Sequence, residues 1–289
     1  MKAIIQLIRV EQWTKNFLIF FPAFFAGYAF SKDKIASVIA AFIAFCFAAS
    51  AIYIFNDYFD VEKDRNHPVK RFRPIASGKI SKNIAILLML FCLVIMALIP
   101  IFYIENTAIL YWFLAYIFIN FFYTILLKNI AIIDIACISS GFLIRIFIGG
   151  AAGQVHISKW LVLMTFLMAM SIALGKRRDD LIIDVENGKL RKSLDGYSLE
   201  FVNISLVMMF VISIVCYIMY CVSPEVEARL QSTFVYLTSI PLILGVLRYL
   251  QRVFVMNDSG SPTKILLKDH FIQTIIAVWI LSFAYFLYF

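Results

Sequence analysis

Charge is what this chain has least of. Charged residues fill 15% of its 289 positions, against roughly 25% in soluble domains. There are three His, five Cys, seven Pro and eleven Gly. The cysteines (Cys46, Cys92, Cys137, Cys216, Cys221) sit in apolar segments without a CxxC spacing. That excludes a disulfide framework and a zinc site, and marks them as small buried hydrophobes. No Pro/Gly/Ser-rich linker or low-complexity tract divides the chain, so residues 1–289 are expected to form a single domain. Lys2, Arg9, Glu11 and Lys15 break up the first residues, which do not read as a cleaved leader.

What the chain does have is apolar length. Hydrophobic residues make up 63% of it, well above the roughly 45–50% apolar share of soluble domains. A water-soluble globule cannot hide that surface, and a disordered or fibrous chain does not carry it. A membrane span needs about 20 apolar residues. Uncharged runs at 36–55, 84–104, 108–127, 201–222 and 271–289 meet that length. Runs 17–30, with Trp13 at its interface, and 160–175 are shorter. Run 234–247 reaches full length if Arg248 and Arg252 snorkel to the headgroups. Segment 130–155 is apolar apart from Asp134 and Arg145. The expected fold is all-α: a polytopic membrane bundle of nine transmembrane helices with a cytoplasm-facing polar cavity.

The basic residues orient it. With nine spans, 21 of the 26 Lys and Arg fall on the side of the N-terminus and the loops after spans 2, 4, 6 and 8. Four fall opposite, and Arg145 lies within span 5. The positive-inside rule puts the rich side in the cytoplasm. The formal charge of +8 is then a topology signal facing anionic lipid, and no nucleic acid is expected as a partner. The two long loops, 58–83 and 176–200, are on that side, where a rigid scaffold presents binding groups.

Span 2 ends in Asn56-Asp57-Tyr58-Phe59-Asp60-Val61-Glu62-Lys63-Asp64. Asn56, Asp60 and Asp64 follow an i, i+4, i+8 spacing, which lines one helical face, with Asp57 flanking it. Like charges at that spacing repel, and a divalent cation cancels the repulsion. Mg2+ prefers such hard oxygens and is typically shared with substrate phosphates. The alternative is a solvated acidic helix end. Next come Lys70, Arg71 and Arg73, between Pro68 and Pro74, which limit helix. They supply donors for phosphate oxygens, or serve only as positive-inside charge.

At these residues the chain resembles the UbiA superfamily of intramembrane prenyltransferases, whose NDxxDxxxD pattern Asn56–Asp64 follows without a mismatch. DRNHPVKRFRPIASG (64–78) is similar to a run of the decaprenyl-phosphate phosphoribosyltransferase branch. VEQWTKNFLIFFPAFFAG (10–27), DIACISSGFLIRIFIGGAAG (134–153), GKRRDDL (175–181) and RKSLDGY (191–197) agree with that branch. The resemblance implies transfer of 5-phosphoribose from phosphoribosyl pyrophosphate to a polyprenyl phosphate, releasing pyrophosphate, with Mg2+ as cofactor. It also suggests a place in making arabinose donors for a cell envelope. Asp60 and Asp64 are its implied catalytic residues, and Asn56, Asp57, Asp60 and Asp64 its metal ligands. An anionic acceptor needs no strong general base, so none of the three His is assigned. The other enzyme reading is a UbiA-type prenyltransferase moving a prenyl group from its diphosphate to an aromatic or lipid acceptor. A transporter would spread ionisable groups across the bilayer midplane, whereas these gather at one face.

The superfamily's second acidic motif falls at Lys176-Arg177-Arg178-Asp179-Asp180-Leu181-Ile182-Ile183-Asp184. Three cations precede its acids, which suits a donor with an extra phosphate bound by Lys176 and Arg177 beside Asp180. An ordinary charged loop is the alternative. Lys15 and Asn16, and likewise Tyr123 and Lys128, bind phosphate or anchor helix ends at the interface. Asp134 and Arg145 are eleven residues apart, about 16 Å on a helix, too far to pair simply. Asp134 is within reach of the substrate end, and Arg145 is either a buried structural cation or a phosphate contact. Membrane lipid is a further partner, and a homo-oligomer is compatible with the sequence. The site of action is the cytoplasmic (inner) membrane, with the N-terminus and active site cytoplasmic.

The orientation is tested by placing one Cys in loop 65–79 of an otherwise Cys-free variant. An impermeant thiol reagent should leave it unlabelled in intact cells and label it after permeabilisation. Labelling from outside would overturn the orientation.

Overall fold

A computed structural model describes residues 2–28, 31–66, 69–104, 106–187, 192–256, 265 and 268–288. The described elements are helical: α1 (Lys2–Ile8), a 3-10 helix (Val10–Phe20), α2 (Phe21–Phe25), α3 (Lys32–Phe59), α4 (Val61–Arg65), a short 3-10 turn (Lys70–Phe72), α5 (Lys82–Tyr103) and α6 (Ala108–Ile125). There follow α7 (Ile133–Gly153), α8 (Lys159–Asn187), α9 (Leu199–Cys221), α10 (Pro224–Leu230), α11 (Ser239–Phe254) and α12 (His270–Tyr288). Among the described residues, eight helices are long and apolar enough to cross a membrane. They match the runs from 36–55 onward, so the chain is a multi-pass membrane protein.

The first expected span takes another form. It is an 11-residue 3-10 helix followed by the 5-residue α2, which rise about 22 Å and about 7 Å, each along its own axis.

The chain divides into two compact units. One comprises 1–127 and 143–157, the other 128–142 and 158–289. In the first, α3 is central. Its small residues Ala41, Ala44, Ala48 and Ala49 are buried with Phe45, Ile109, Phe113, Ile144 and Ile148. A second cluster lies around the start of the chain: Leu7 packs with Ala51, Ile54, Val61, Ile75, Ala76 and Ile80. Loop 69–81 is thus pinned by its own apolar residues, and Gly78 takes a left-handed φ of 74°, which glycine adopts freely.

One close approach in this unit has no slack. A Cβ placed on Gly149 would lie 2.0 Å from the carbonyl oxygen of Ile19. The second unit is built on α8 against α9 and α11 against α12, around Met170, Leu174, Leu206, Phe210, Val246 and Tyr249. Here Arg248 and Arg252 do not simply snorkel. Arg248 Nε donates to Asp269 at 3.0 Å, and Arg252 Nε lies 3.8 Å from the same carboxylate. Burial pushes the Asp269 carboxyl up, but Arg248 and the Ile272 amide outweigh it and hold it below the usual range. All five cysteines are free and at least half-buried, as expected.

Gly149→Val should therefore lower stability by at least the ~1–3 kcal/mol typical of overpacking, because the neighbour is backbone. Thermal unfolding in detergent checks this. A melting temperature equal to wild type would mean that the 3-10 helix is not held against α7.

Candidate active site

The acidic motif spans the junction of α3 and α4. The helix breaks at Asp60, yet the Asp60 amide donates to the Asn56 carbonyl at 2.9 Å and the Asp64 amide to the Asp60 carbonyl at 2.8 Å. Backbone bonds of α-helical spacing therefore continue across the break. Asn56 Oδ1 lies 2.6 Å from Thr124 Oγ1, which ties the amide to α6.

The carboxylates are already engaged. Asp57 is 2% exposed and Asp64 3%, and burial of unpaired charge is costly. Arg73 Nη1 donates to Asp57 Oδ1 at 3.0 Å and to Asp64 Oδ2 at 2.7 Å. Arg9 also donates to Asp57, and its guanidinium lies 4.9 Å from the Tyr53 ring centre. Asp57, Arg9 and Arg73 line a cavity of about 480 Å³ together with Gln6, Glu11 and Gln12. Among the described residues, no three His, Cys, Asp or Glu side chains gather closely enough to share one ion. The guanidinium of Arg73 stands between two of the candidate ligands. The donor set itself, the Asn56 amide and the Asp60 and Asp64 carboxylates at i, i+4, i+8 with Asp57 flanking, is of the hard-oxygen kind that suits a divalent cation.

The other candidates are distributed as follows. Arg71 is exposed, with its guanidinium 4.9 Å from the Phe72 ring. Lys15 and Lys70 are half-buried on the 3-10 helix and the 3-10 turn, Tyr123 is half-buried near the end of α6, and Lys128 is 8% exposed. Arg145 is 5% exposed. Its Nε donates to Asn16 Oδ1 at 2.9 Å, and its guanidinium lies 4.6 Å from the Phe45 ring and 5.7 Å from Tyr116. An amide and two aromatic rings are thus neighbours of this cation.

The second acidic stretch differs from its expectation. Lys176 is exposed, but Arg177 is 1% exposed. Arg177 Nε donates to Asp134 Oδ2 at 2.7 Å, and its Nη1 to Asp180. Asp134, fully buried, also accepts from Tyr197 Oη at 2.7 Å. Burial, then the bond to Asp134, push the Tyr197 hydroxyl well above its usual range, so it stays a donor. Arg177 is thus committed to two carboxylates of its own chain, and Arg178 is turned inward to Asn203 Oδ1 at 3.1 Å. The cationic run is in the main a buried network. His67, Pro68 and the side chain of Asp184 lie outside the described residues.

A family model described as the UbiA prenyltransferase family matches residues 19–275. The chain belongs to the UbiA prenyltransferase family. It is 34% identical to decaprenyl-phosphate phosphoribosyltransferase of Mycolicibacterium smegmatis, covering 99% of this chain and 92% of that one. It is 30% identical to the Corynebacterium glutamicum protein of the same name, over 96% and 84%. Among solved structures it resembles a UbiA homolog from Archaeoglobus fulgidus bound to DMAPP and Mg2+, with a TM-score of 0.72, 18% identity and coverage of 99% and 98%. At that identity the likeness concerns the UbiA fold.

Two site residues were not singled out from the sequence. Arg9 looked like positive-inside charge, and Tyr197 belonged to RKSLDGY without a role. The spacing of either to its acid carries no local signal. Asp134→Ala should destabilise the protein by about 3–5 kcal/mol, since it breaks a buried pair and leaves Arg177 with the Asp180 carboxylate. Tyr197→Phe should cost less, about 1–3 kcal/mol for one bond to a charge. Thermal unfolding of purified variants measures both. An Asp134→Ala protein as stable as wild type but unable to use substrate would instead make Asp134 a ligand.

Proposed function

We propose that this protein transfers 5-phosphoribose from phosphoribosyl pyrophosphate to a polyprenyl phosphate and releases pyrophosphate. The observation that carries this reading is near full-length similarity to phosphoribosyltransferases in a chain that keeps both NDYFDVEKD and the basic run after it. The whole chain works as one UbiA-like domain in the cytoplasmic membrane, with the N-terminus and basic loops in the cytoplasm. A polyanionic donor that cannot cross a bilayer then meets the acidic motif from its own compartment.

The chemistry asks for two things. The bond from the ribose anomeric carbon to pyrophosphate must break, and a phosphate oxygen of the lipid must take its place. Asn56, Asp57, Asp60 and Asp64 would hold Mg2+, which when bound supplies positive charge to the leaving diphosphate. Lys70 and Arg71 extend from the loop beside the motif and supply donors to phosphate oxygens. The acceptor phosphate arrives as an anion, so no residue is needed to remove a proton from it. Asp60 and Asp64 have the catalytic role through the charge they fix at the leaving group.

Purified protein incubated with labelled phosphoribosyl pyrophosphate, Mg2+ and a polyprenyl phosphate should carry label into the lipid phase. Asp60→Asn and Asp64→Asn should each lower turnover by at least about 100-fold, the usual scale for losing charge stabilisation at a reacting group. Ribose 5-phosphate should compete with the donor and geranyl diphosphate should not. The opposite competition would favour prenyl transfer.

A further inference from the structure

Asp57 and Asp64 face two arginines of unequal origin. Arg73 comes from the pinned loop 69–81, and Arg9 from the joint between α1 and the 3-10 helix. At that joint Arg9 has a left-handed backbone, φ 53° and ψ 52°, which costs a non-glycine residue roughly 1–2 kcal/mol. The carboxylates are buried, but the side chains of Arg9 and Arg73 are 23% and 28% exposed. Both arginines line the cavity of about 480 Å³, and so does Asp57. The quartet is thus nearly buried at its acids and open to the cavity at its cations.

The charges balance in a particular way. Two carboxylates and two guanidiniums sum to zero. The guanidiniums hold Asp57 Oδ1 and Asp64 Oδ2, so a divalent ion on the same two carboxylates stands within a few ångströms of both cations and is repelled by them. Once displaced, the guanidiniums are left at the cavity wall with free N–H groups and two positive charges. A diphosphate carries at least two negative charges and accepts bidentate guanidinium bonds. Exchanging partners therefore conserves the pairing: ion on carboxylates, arginines on diphosphate. Glu11, on the cavity rim, disfavours an anion that arrives without the cation.

We propose that Arg9 and Arg73 are exchangeable counter-cations. They neutralise Asp57 and Asp64 until the divalent ion and the donor's diphosphate arrive together, and then bind that diphosphate. Arg9 thereby becomes a donor-binding residue of the reaction. The inference rests on the metal reading of the acidic motif. It makes ion and donor cooperative, because the ion alone must displace guanidiniums that have no anion to receive them.

The test is binding of Mn2+ alone to the full chain in detergent, followed by electron paramagnetic resonance of the free ion. Arg9→Gln should bind Mn2+ about 5- to 10-fold more tightly than wild type, while its KM for phosphoribosyl pyrophosphate at saturating Mg2+ rises about 10-fold or more. Arg73→Gln should move both quantities in the same directions. Opposite signs for ion and donor are something a merely structural arginine would not give. Unchanged or weaker Mn2+ binding in both variants overturns the exchange, as does failure of both to fold. If the wild-type chain shows no Mn2+ binding that Asp60→Asn removes, even with donor present, the metal reading itself falls. If it does show such binding and neither arginine variant tightens it, the exchange alone falls.

Discussion

A buried carboxylate must have a cation. Ionising Asp57, Asp64 or Asp134, each at most 3% exposed, would cost several kcal/mol without one. Much of the local structure serves to bring guanidiniums to them. Loop 69–81 is held by Ile75, Ala76 and Ile80 in the cluster around Leu7, and that anchorage carries Arg73 to two acids. The left-handed turn at Arg9 carries a second guanidinium to Asp57. In the other unit, α8 brings Arg177 to Asp134 while the turn Lys192–Gly196 ends where Tyr197 reaches the same carboxylate.

The two acid sites differ in what stands behind the cation. Arg177 has protein on every side and is 1% exposed, whereas Arg9 and Arg73 border a cavity. Removing a partner from a closed pair strands a charge in a low-dielectric interior. Removing it from an open pair hands the guanidinium to whatever fills the cavity. The same residue types therefore play unlike parts. Counting cations in a motif does not count the cations available to a substrate: of Lys176, Arg177 and Arg178, only Lys176 is exposed.

This difference also marks where sequence reading stops. The eight long helices were legible because span length and uncharged runs are local properties of the chain. The register of Asn56, Asp60 and Asp64 was legible because i, i+4 spacing is local too. The partner of Asp134 was not, since Arg177 lies 43 residues away and nothing in either segment names the other. Arg9 was hidden among the charges that set topology. The first span was read from apolar length as a short run, because sequence pattern does not distinguish α from 3-10 geometry.

That 3-10 geometry has a physical reason. Asn16 receives the Arg145 Nε–H, and Ile19 presses its carbonyl on Gly149. On α7 these two points are four residues apart, about 6 Å along the axis. On the opposing segment they are three residues apart, which a 3-10 helix also stretches to about 6 Å, with i and i+3 eclipsed on one face. An α-helical segment would advance only about 4.5 Å over the same three residues and would miss one contact. A buried guanidinium and a glycine one α-helical turn beyond it thus select the tighter, longer helix. Its start falls directly after Arg9, the residue whose guanidinium meets Asp57.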